Sequence, residues 1–332
     1  MSTEDFKDAD IFMENLYWWG IPTFYRCDHN PDPAACDIGL VGVPHSAGNG
    51  TTERDQHLGP RALRHMSALA KRIHEPFRLD PWNELKIYDL GDVPFPEAMD
   101  NEASIQRITD YFKRLDNAGT RPVSMGGDHS ITGGIVQAMG GKGTNIAGGE
   151  PVALLHFDAH VDTSEMPHWL GAVKSAAHWG NYLVQQGNVD ATKSVQIGIR
   201  GDIRSFDWLE PSHRMGYDVI TMDDYHDMGI QQTVDRIRKK LGDTPVYITF
   251  DLDCLDPSVA PAVSNLECGY TGFYMTEVRK ILRGMRGLNI VGADIVCMMP
   301  TKDNPNNMTA MAAMGIMFEQ ICLIGDYVRS QR

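Results

Sequence analysis

Eight short apolar runs, separated by helical patterns, constrain this chain more than any other feature of its sequence. They are Asp37–Val43, Leu85–Leu90, Pro122–Met125, Val152–Phe157, Val195–Ile199, Asp218–Thr221, Val246–Phe250 and Asn289–Val296. Most are apolar on both faces, as parallel strands buried between helices are. Helical periodicity falls between them at Pro60–Ile73, Ser104–Asn117, Gly133–Met139, Ala176–Gln186, Gln231–Leu241 and Thr276–Met285. Such alternation predicts an α/β sandwich. Eight strands also suit a closed (β/α)₈ barrel, and periodicity alone does not separate the two. At 332 residues the chain can bury a large core.

Three of these runs end in clusters of histidine and aspartate. They are Gly126-Gly127-Asp128-His129, Asp158-Ala159-His160-Val161-Asp162 and Asp251-Leu252-Asp253. Parallel strands end at the same edge of a sheet, where ligands of open α/β folds bind. Strand side chains alternate, so Asp158, His160 and Asp162 share one face, as do Asp251 and Asp253. The clusters would converge as two histidines and four carboxylates in one crevice. That much negative charge is too costly to bury unpaired. Two divalent cations would resolve it, held about 3.5–4 Å apart by bridging carboxylates. Oxygen-rich ligation with two imidazoles suits Mn²⁺, with Ni²⁺, Co²⁺ or Fe²⁺ as alternatives, and differs from a thiolate zinc site.

Composition narrows the partners. Lysine and arginine number 30 against 44 aspartates and glutamates, a net charge of −14. That argues against nucleic acid or an anionic membrane as a main partner. No apolar run near 18 residues stands out, so no membrane span is expected. Cys27, Cys36, Cys254, Cys268, Cys297 and Cys322 form no CxxC pair and read as free thiols of a reducing cytoplasm. The acidic start of the chain lacks a signal-peptide core, so a cytoplasmic location is the default expectation. The glycine-rich stretch Gly140–Gly149 lacks the lysine-Ser/Thr pair of a phosphate loop.

The clusters sit in longer motifs that resemble the ureohydrolases, the family of arginases, agmatinases and other guanidino-compound hydrolases. The matching stretches are Ser124–Ser130, His156–Thr163 and Phe250–Pro261, with further similarity at Tyr17–Arg26, Gly42-Val43-Pro44 and Gly59–Arg64. The resemblance leans toward the agmatinase-like branch. It implies a three-layer α/β/α sandwich with a mostly parallel, about eight-stranded sheet, one domain over residues 37–332. Residues 1–36, rich in aromatics and proline, would pack on that domain or on a neighbouring subunit. A trimer or hexamer is implied, as are two divalent transition-metal ions per chain. His129, Asp158, Asp162 and Asp251 would hold one ion, and Asp158, His160, Asp251 and Asp253 the other. A metal-bridging hydroxide, oriented by Asp162, would attack the guanidino carbon. A downstream histidine would protonate the leaving amine. His178 is the candidate, with His168 as rival.

Departures from the family fall on the substrate side. The last strand of such enzymes normally ends in Glu-Val-x-Pro, whose glutamate pairs with the guanidinium. Here the sequence is Val296-Cys297-Met298-Met299-Pro300, so Cys297 takes that place. The loop after Pro261 reads Ala262–Gly269 instead of Gly-Thr-Gly-Thr-Pro, which puts Asn265 and Glu267 beside the substrate. Glu267 could replace the missing carboxylate. Ser46 also stands where an aspartate is usual. The expectation is an enzyme acting on an atypical substituted guanidine or a biguanide. The alternatives are a weakly active supporting subunit beside a paralogue and a plain agmatinase or guanidinobutyrase. Arginase proper is not expected, because the loop that reads an α-amino acid is not recognisable. A deacetylase-like hydrolase would need tandem histidines, and no His-His occurs.

Overall fold

The computed structural model describes residues 16–49, 55–165, 172–203 and 205–332. Eight parallel strands form one open sheet: β1 Ile38–Gly42, β2 Ile87–Asp92, β3 Arg121–Met125, β4 Ala153–Phe157, β5 Val195–Ile199, β6 Asp218–Thr221, β7 Val246–Asp251 and β8 Ile290–Val296. Their order is β2-β1-β3-β8-β7-β4-β5-β6. The sheet has two edges, so the barrel alternative falls away. The described helices are α1 Gly59–Ser67, α2 Pro81–Glu84, α3 Asn101–Ala118, α4 Ser130–Met139, α5 Trp179–Gln185, α6 Glu210–Met215, α7 Met222–Leu241, α8 Met275–Gly284 and α9 Met308–Ser330.

Alternation along the strands builds two cores. Leu40, Leu155, Phe157 and Ile248 face a layer containing Leu63 of α1, Ile237 of α7, Ile281 of α8 and Ile316 of α9. Val41, Leu154 and Tyr247 face the opposite layer, with Ile108 of α3, Ile135 of α4 and Leu183 of α5. Both strand faces are covered, as an all-parallel sheet requires.

Helix α9 corrects the expectation about long apolar segments. It is long and apolar enough to cross a membrane by length and composition, but 72% of its apolar window is buried inside the molecule. Its charged Glu319 is 1% exposed, held by His74 at 2.9 Å and by Arg279 and Arg283. A buried ion network therefore sits inside what is otherwise a core helix. Several helix boundaries also differ from the periodicity. α1 ends at Ser67, where Leu69 and Ala70 bond three residues back. α5 starts only at Trp179. α7 extends back to Met222, capped reciprocally by Thr221 and Asp224, and bends at Gly229. The six cysteines are all free.

Residues 1–15 lie outside the described residues. Beyond them, Phe24 and Tyr25 are fully buried in the domain, where Tyr25 donates to the Met314 carbonyl at 2.6 Å. Tyr17, Trp18 and Trp19 are exposed.

Register sets the functional edge. Met125 of β3 pairs with Ile295 of β8, Ile295 with Phe250 of β7, and Phe250 with Phe157 of β4. Four adjacent central strands thus end level, and the segments that leave them meet above the sheet.

Candidate metal centre

The segment leaving β3 turns directly into α4. Gly127 allows this, since a Cβ there would lie 1.5 Å from the His45 carbonyl oxygen. Asp128 is fully buried and serves two structures at once. One carboxylate oxygen accepts from Ser130 N–H at 3.0 Å, while the other accepts from Gly48 and Asn49 N–H at 2.8 and 2.9 Å. It starts the helix and pins the 44–49 loop, which leaves the next side chain, His129, over the sheet edge.

His129 Nδ1 lies 2.9 Å from Asp158 Oδ2, 2.9 Å from Asp162 Oδ2 and 3.2 Å from Asp251 Oδ2. These atoms form the first cage. His160 Nδ1 lies 3.3 Å from Asp158 Oδ1 and 3.2 Å from Asp253 Oδ2, forming the second. Asp158 faces both cages, one oxygen to each. Asp251 presents Oδ2 to the first cage, but its Oδ1 accepts Asp253 N–H at 2.9 Å. The structure therefore brings together all six expected ligands, with Asp251 placed chiefly on one side.

Among the described residues, two buried atoms in these cages, His129 Nδ1 and Asp253 Oδ2, have no hydrogen-bond partner. The candidate ligand atoms of His129, His156, Asp158 and Asp162, and those of Asp158, His160 and Asp253, lie within 4.8 Å of one another, close enough for each group to share one cation. Oxygen and imidazole donors at these spacings fit divalent transition metals. The surroundings preset both imidazoles. Thr249 Oγ1 gives its proton to Asp294 at 2.6 Å, so it accepts from His129 Nε2 at 2.9 Å. His160 Nε2 faces Glu267 Oε1 at 3.0 Å. With a cation bound, each ring would carry its proton on Nε2 and turn the Nδ1 lone pair into a cage.

Electrostatics tell the same story. Burial alone would lower the His129 pKa, but Asp158, Asp162 and Asp251 carry it well above its ordinary value. Burial raises the Asp253 pKa well above the carboxylate range, and Asp251 and Asp158 push it further. The Asp162 carboxyl is also raised, by burial and by Asp158. Without cations the cluster must hold protons, so metal and proton compete for it.

His156, left out of the expected ligand set, belongs to this cluster. It is fully buried on β4, with Nε2 2.7 Å from Asp158 Oδ2 and Nδ1 3.3 Å from Gln196 Nε2. The period-two pattern that grouped Asp158, His160 and Asp162 extends back to it. Trp179 was also overlooked as a site residue. Its indole N–H donates to Asp162 Oδ2 at 2.8 Å, and Asp162 holds a left-handed φ of 49°.

A cavity of 580 Å³ opens above the cages, lined by Asn49, His129, His160, Asp162, Asn265, Glu267 and Cys297 among others. Cys297 is 2% exposed with φ of 69°, a conformation that side chains rarely adopt. Its N–H donates to the Gly127 carbonyl at 2.8 Å, and its carbonyl accepts from Ser264 N–H at 3.1 Å. Burial, with Asp251 and Asp253 nearby, raises its thiol pKa well above normal, so it stays neutral. Asn265 lines the cavity wall, whereas Glu267 is engaged by His160. His178 does not line the cavity. Its Nδ1 bonds the Ser164 carbonyl and its ring packs beside Tyr182. His168 lies outside the described residues. A larger groove of 2110 Å³ runs along the β2 edge and shares none of these residues.

Residues 36–322 match the arginase family. The chain is 35% identical to a guanidinopropionase of Pseudomonas aeruginosa, over 92% of both chains. It is 34% identical to an agmatinase of Chromobacterium violaceum, over 94% of this chain and 91% of that one. Among solved structures it is similar to the proclavaminate amidino hydrolase of Streptomyces clavuligerus, with a TM-score of 0.84 and 29% identity over 95% of this chain and 99% of that one. Fold, clustered ligands and sequence agree: the chain belongs to the arginase family of ureohydrolases, on its agmatinase-like side.

Proposed function

We propose that this protein, a hydrolase of C–N bonds in guanidino compounds, uses two divalent ions to cleave a substituted or delocalised guanidine such as a biguanide. The observation that carries this reading is the pair of cages sharing Asp158. His129, Asp158, Asp162 and Asp251 would hold the first ion; Asp158, His160 and Asp253, with Asp251 beside them, would hold the second. Mn²⁺ is the expected metal and Ni²⁺ the main alternative. When bound, such a pair makes water a nucleophile at neutral pH.

The chain's own groups do the rest. Asp162, fixed by the Trp179 indole, orients the attacking water. The proton for the departing amine is assigned to His178, which sits behind the cavity-lining Ser164 and Ala177, so that a bridging water would carry the proton into the cavity. The Ser164 carbonyl can only accept, so it keeps Nδ1 protonated and leaves Nε2 to exchange the proton. Asn265 supplies polar contact on the wall. At Cys297 a neutral thiol stands where the resemblance implies a carboxylate. A compact cationic guanidinium loses a charge-assisted partner there. An N-substituted or charge-delocalised guanidine depends on that partner less.

The test is a panel of simple guanidines, guanidino acids, N-alkylguanidines and biguanides, assayed for urea and amine after growth with Mn²⁺ or Ni²⁺. About two ions per chain and turnover of a substituted member are expected. Protein that is metal-free under both conditions, or inert on every guanidine, sinks the proposal.

A further inference from the structure

Glu267 sits in the 262–269 loop, which reads differently from the Gly-Thr-Gly-Thr-Pro that the family resemblance implies. Its Oε1 is 3.0 Å from His160 Nε2. The other nitrogen of the same ring faces Asp158 and Asp253 across the second cage, at 3.3 and 3.2 Å. An imidazole that gives its Nδ1 lone pair to a cation needs an acceptor for Nε2–H. The loop brings the carboxylate to that place. A neighbouring turn makes room for it: a Cβ at Gly201 would lie 2.2 Å from Glu267 Oε2. Tyr270 O–H then ties the loop to the same turn by donating to Asp202 Oδ1 at 2.5 Å. Behind it, the buried Arg200 guanidinium donates to the carbonyls of Asp253 and Leu255 at 2.7 and 3.0 Å. One assembly thus joins the loop, the 200–202 turn, His160 and Asp253.

We propose that Glu267 is a positioning residue that fixes the His160 ring for the second metal position and thereby couples the 264–270 loop to that position. This assigns Glu267 a different task from binding the guanidinium, and it rests on the metal pair proposed above. Coupling runs both ways. An ion in the second cage orders the loop that walls the cavity, and a loosened loop weakens that ion.

The experiment titrates metal-free protein with Mn²⁺ by calorimetry, comparing wild type with Glu267→Ala and Glu267→Gln, and checks folding by circular dichroism. In Glu267→Ala one of the two Mn²⁺ sites should lose about 10–100-fold in affinity while the other is unchanged. Glu267→Gln, which still offers a carbonyl acceptor, should lose less. Limited proteolysis at the 264–270 loop should be slowed by Mn²⁺ in wild type and not in Glu267→Ala. Two unchanged Mn²⁺ affinities in the alanine variant, with a raised KM for substrate, would show a substrate contact and overturn the assignment. Wild type binding fewer than two Mn²⁺ would instead overturn the metal pair itself.

Discussion

Single residues here carry more than one duty, and Asp158 shows the consequence most directly. Its two oxygens face different cages, so neither cage survives its loss. Asp158→Ala is expected to abolish turnover and to leave less than one ion per chain by elemental analysis; two retained ions would refute the sharing. Cys297 is the opposite case, a residue whose change should redirect activity without destroying it. Cys297→Glu restores a carboxylate beside Asp251. A charge-assisted bond is worth about 1.5–3 kcal/mol, so kcat/KM for agmatine should rise roughly 10–100-fold relative to a substituted guanidine. An unchanged ratio would make Cys297 structural. Its left-handed backbone does not oppose the swap, because neither side chain is glycine.

Segments explain which parts of this arrangement could be read from sequence. The strands were legible because burial on both faces leaves long Val, Ile and Leu runs, and each predicted run overlaps an observed strand. Ligands at strand ends were legible for the same reason, since alternation places them on one face. Helix α9 was not legible, because Glu319 and Asp326 interrupt its apolar run and only the fold reveals their partners. The engagement of Glu267 by His160 was also hidden. It joins a loop to a strand end 107 residues away, and no local periodicity records such a contact. Asp128 belongs to this level too, as the joint between β3, α4 and the 44–49 loop. Asp128→Asn turns one acceptor oxygen into a donor facing N–H groups. That should cost about 1–3 kcal/mol, read as a lowered midpoint in urea. A midpoint unchanged from wild type would mean that the joint is not stabilising.

Across the whole molecule, the ion network around Glu319 links α9 to α8 and to His74. Burial would raise the Glu319 pKa, but His74, Arg283 and Arg279 outweigh it and bring it down to about 2. A free glutamate titrates near 4.3, so this group's stabilisation is complete above that pH and is lost as pH falls toward 2. Glu319→Gln should therefore flatten the acid limb of the stability curve in that window; an identical limb would deny the network any role there. The exposed Tyr17, Trp18 and Trp19, the last of which lines the β2-edge groove, motivate a trimeric or hexameric assembly as part of the proposed reading. Light scattering should give a mass of at least three chains, and a monomer at micromolar concentration would count against it. One buried side chain also offers a way to watch the centre directly. Trp179 is fully buried, its indole bonded to Asp162 and its ring 4.8 Å from His129 and 5.0 Å from His156. Filling the cages would place positive charge on two of those three neighbours, His129 and Asp162, so ultraviolet emission from this indole becomes a built-in gauge of cation loading, readable without substrate or label.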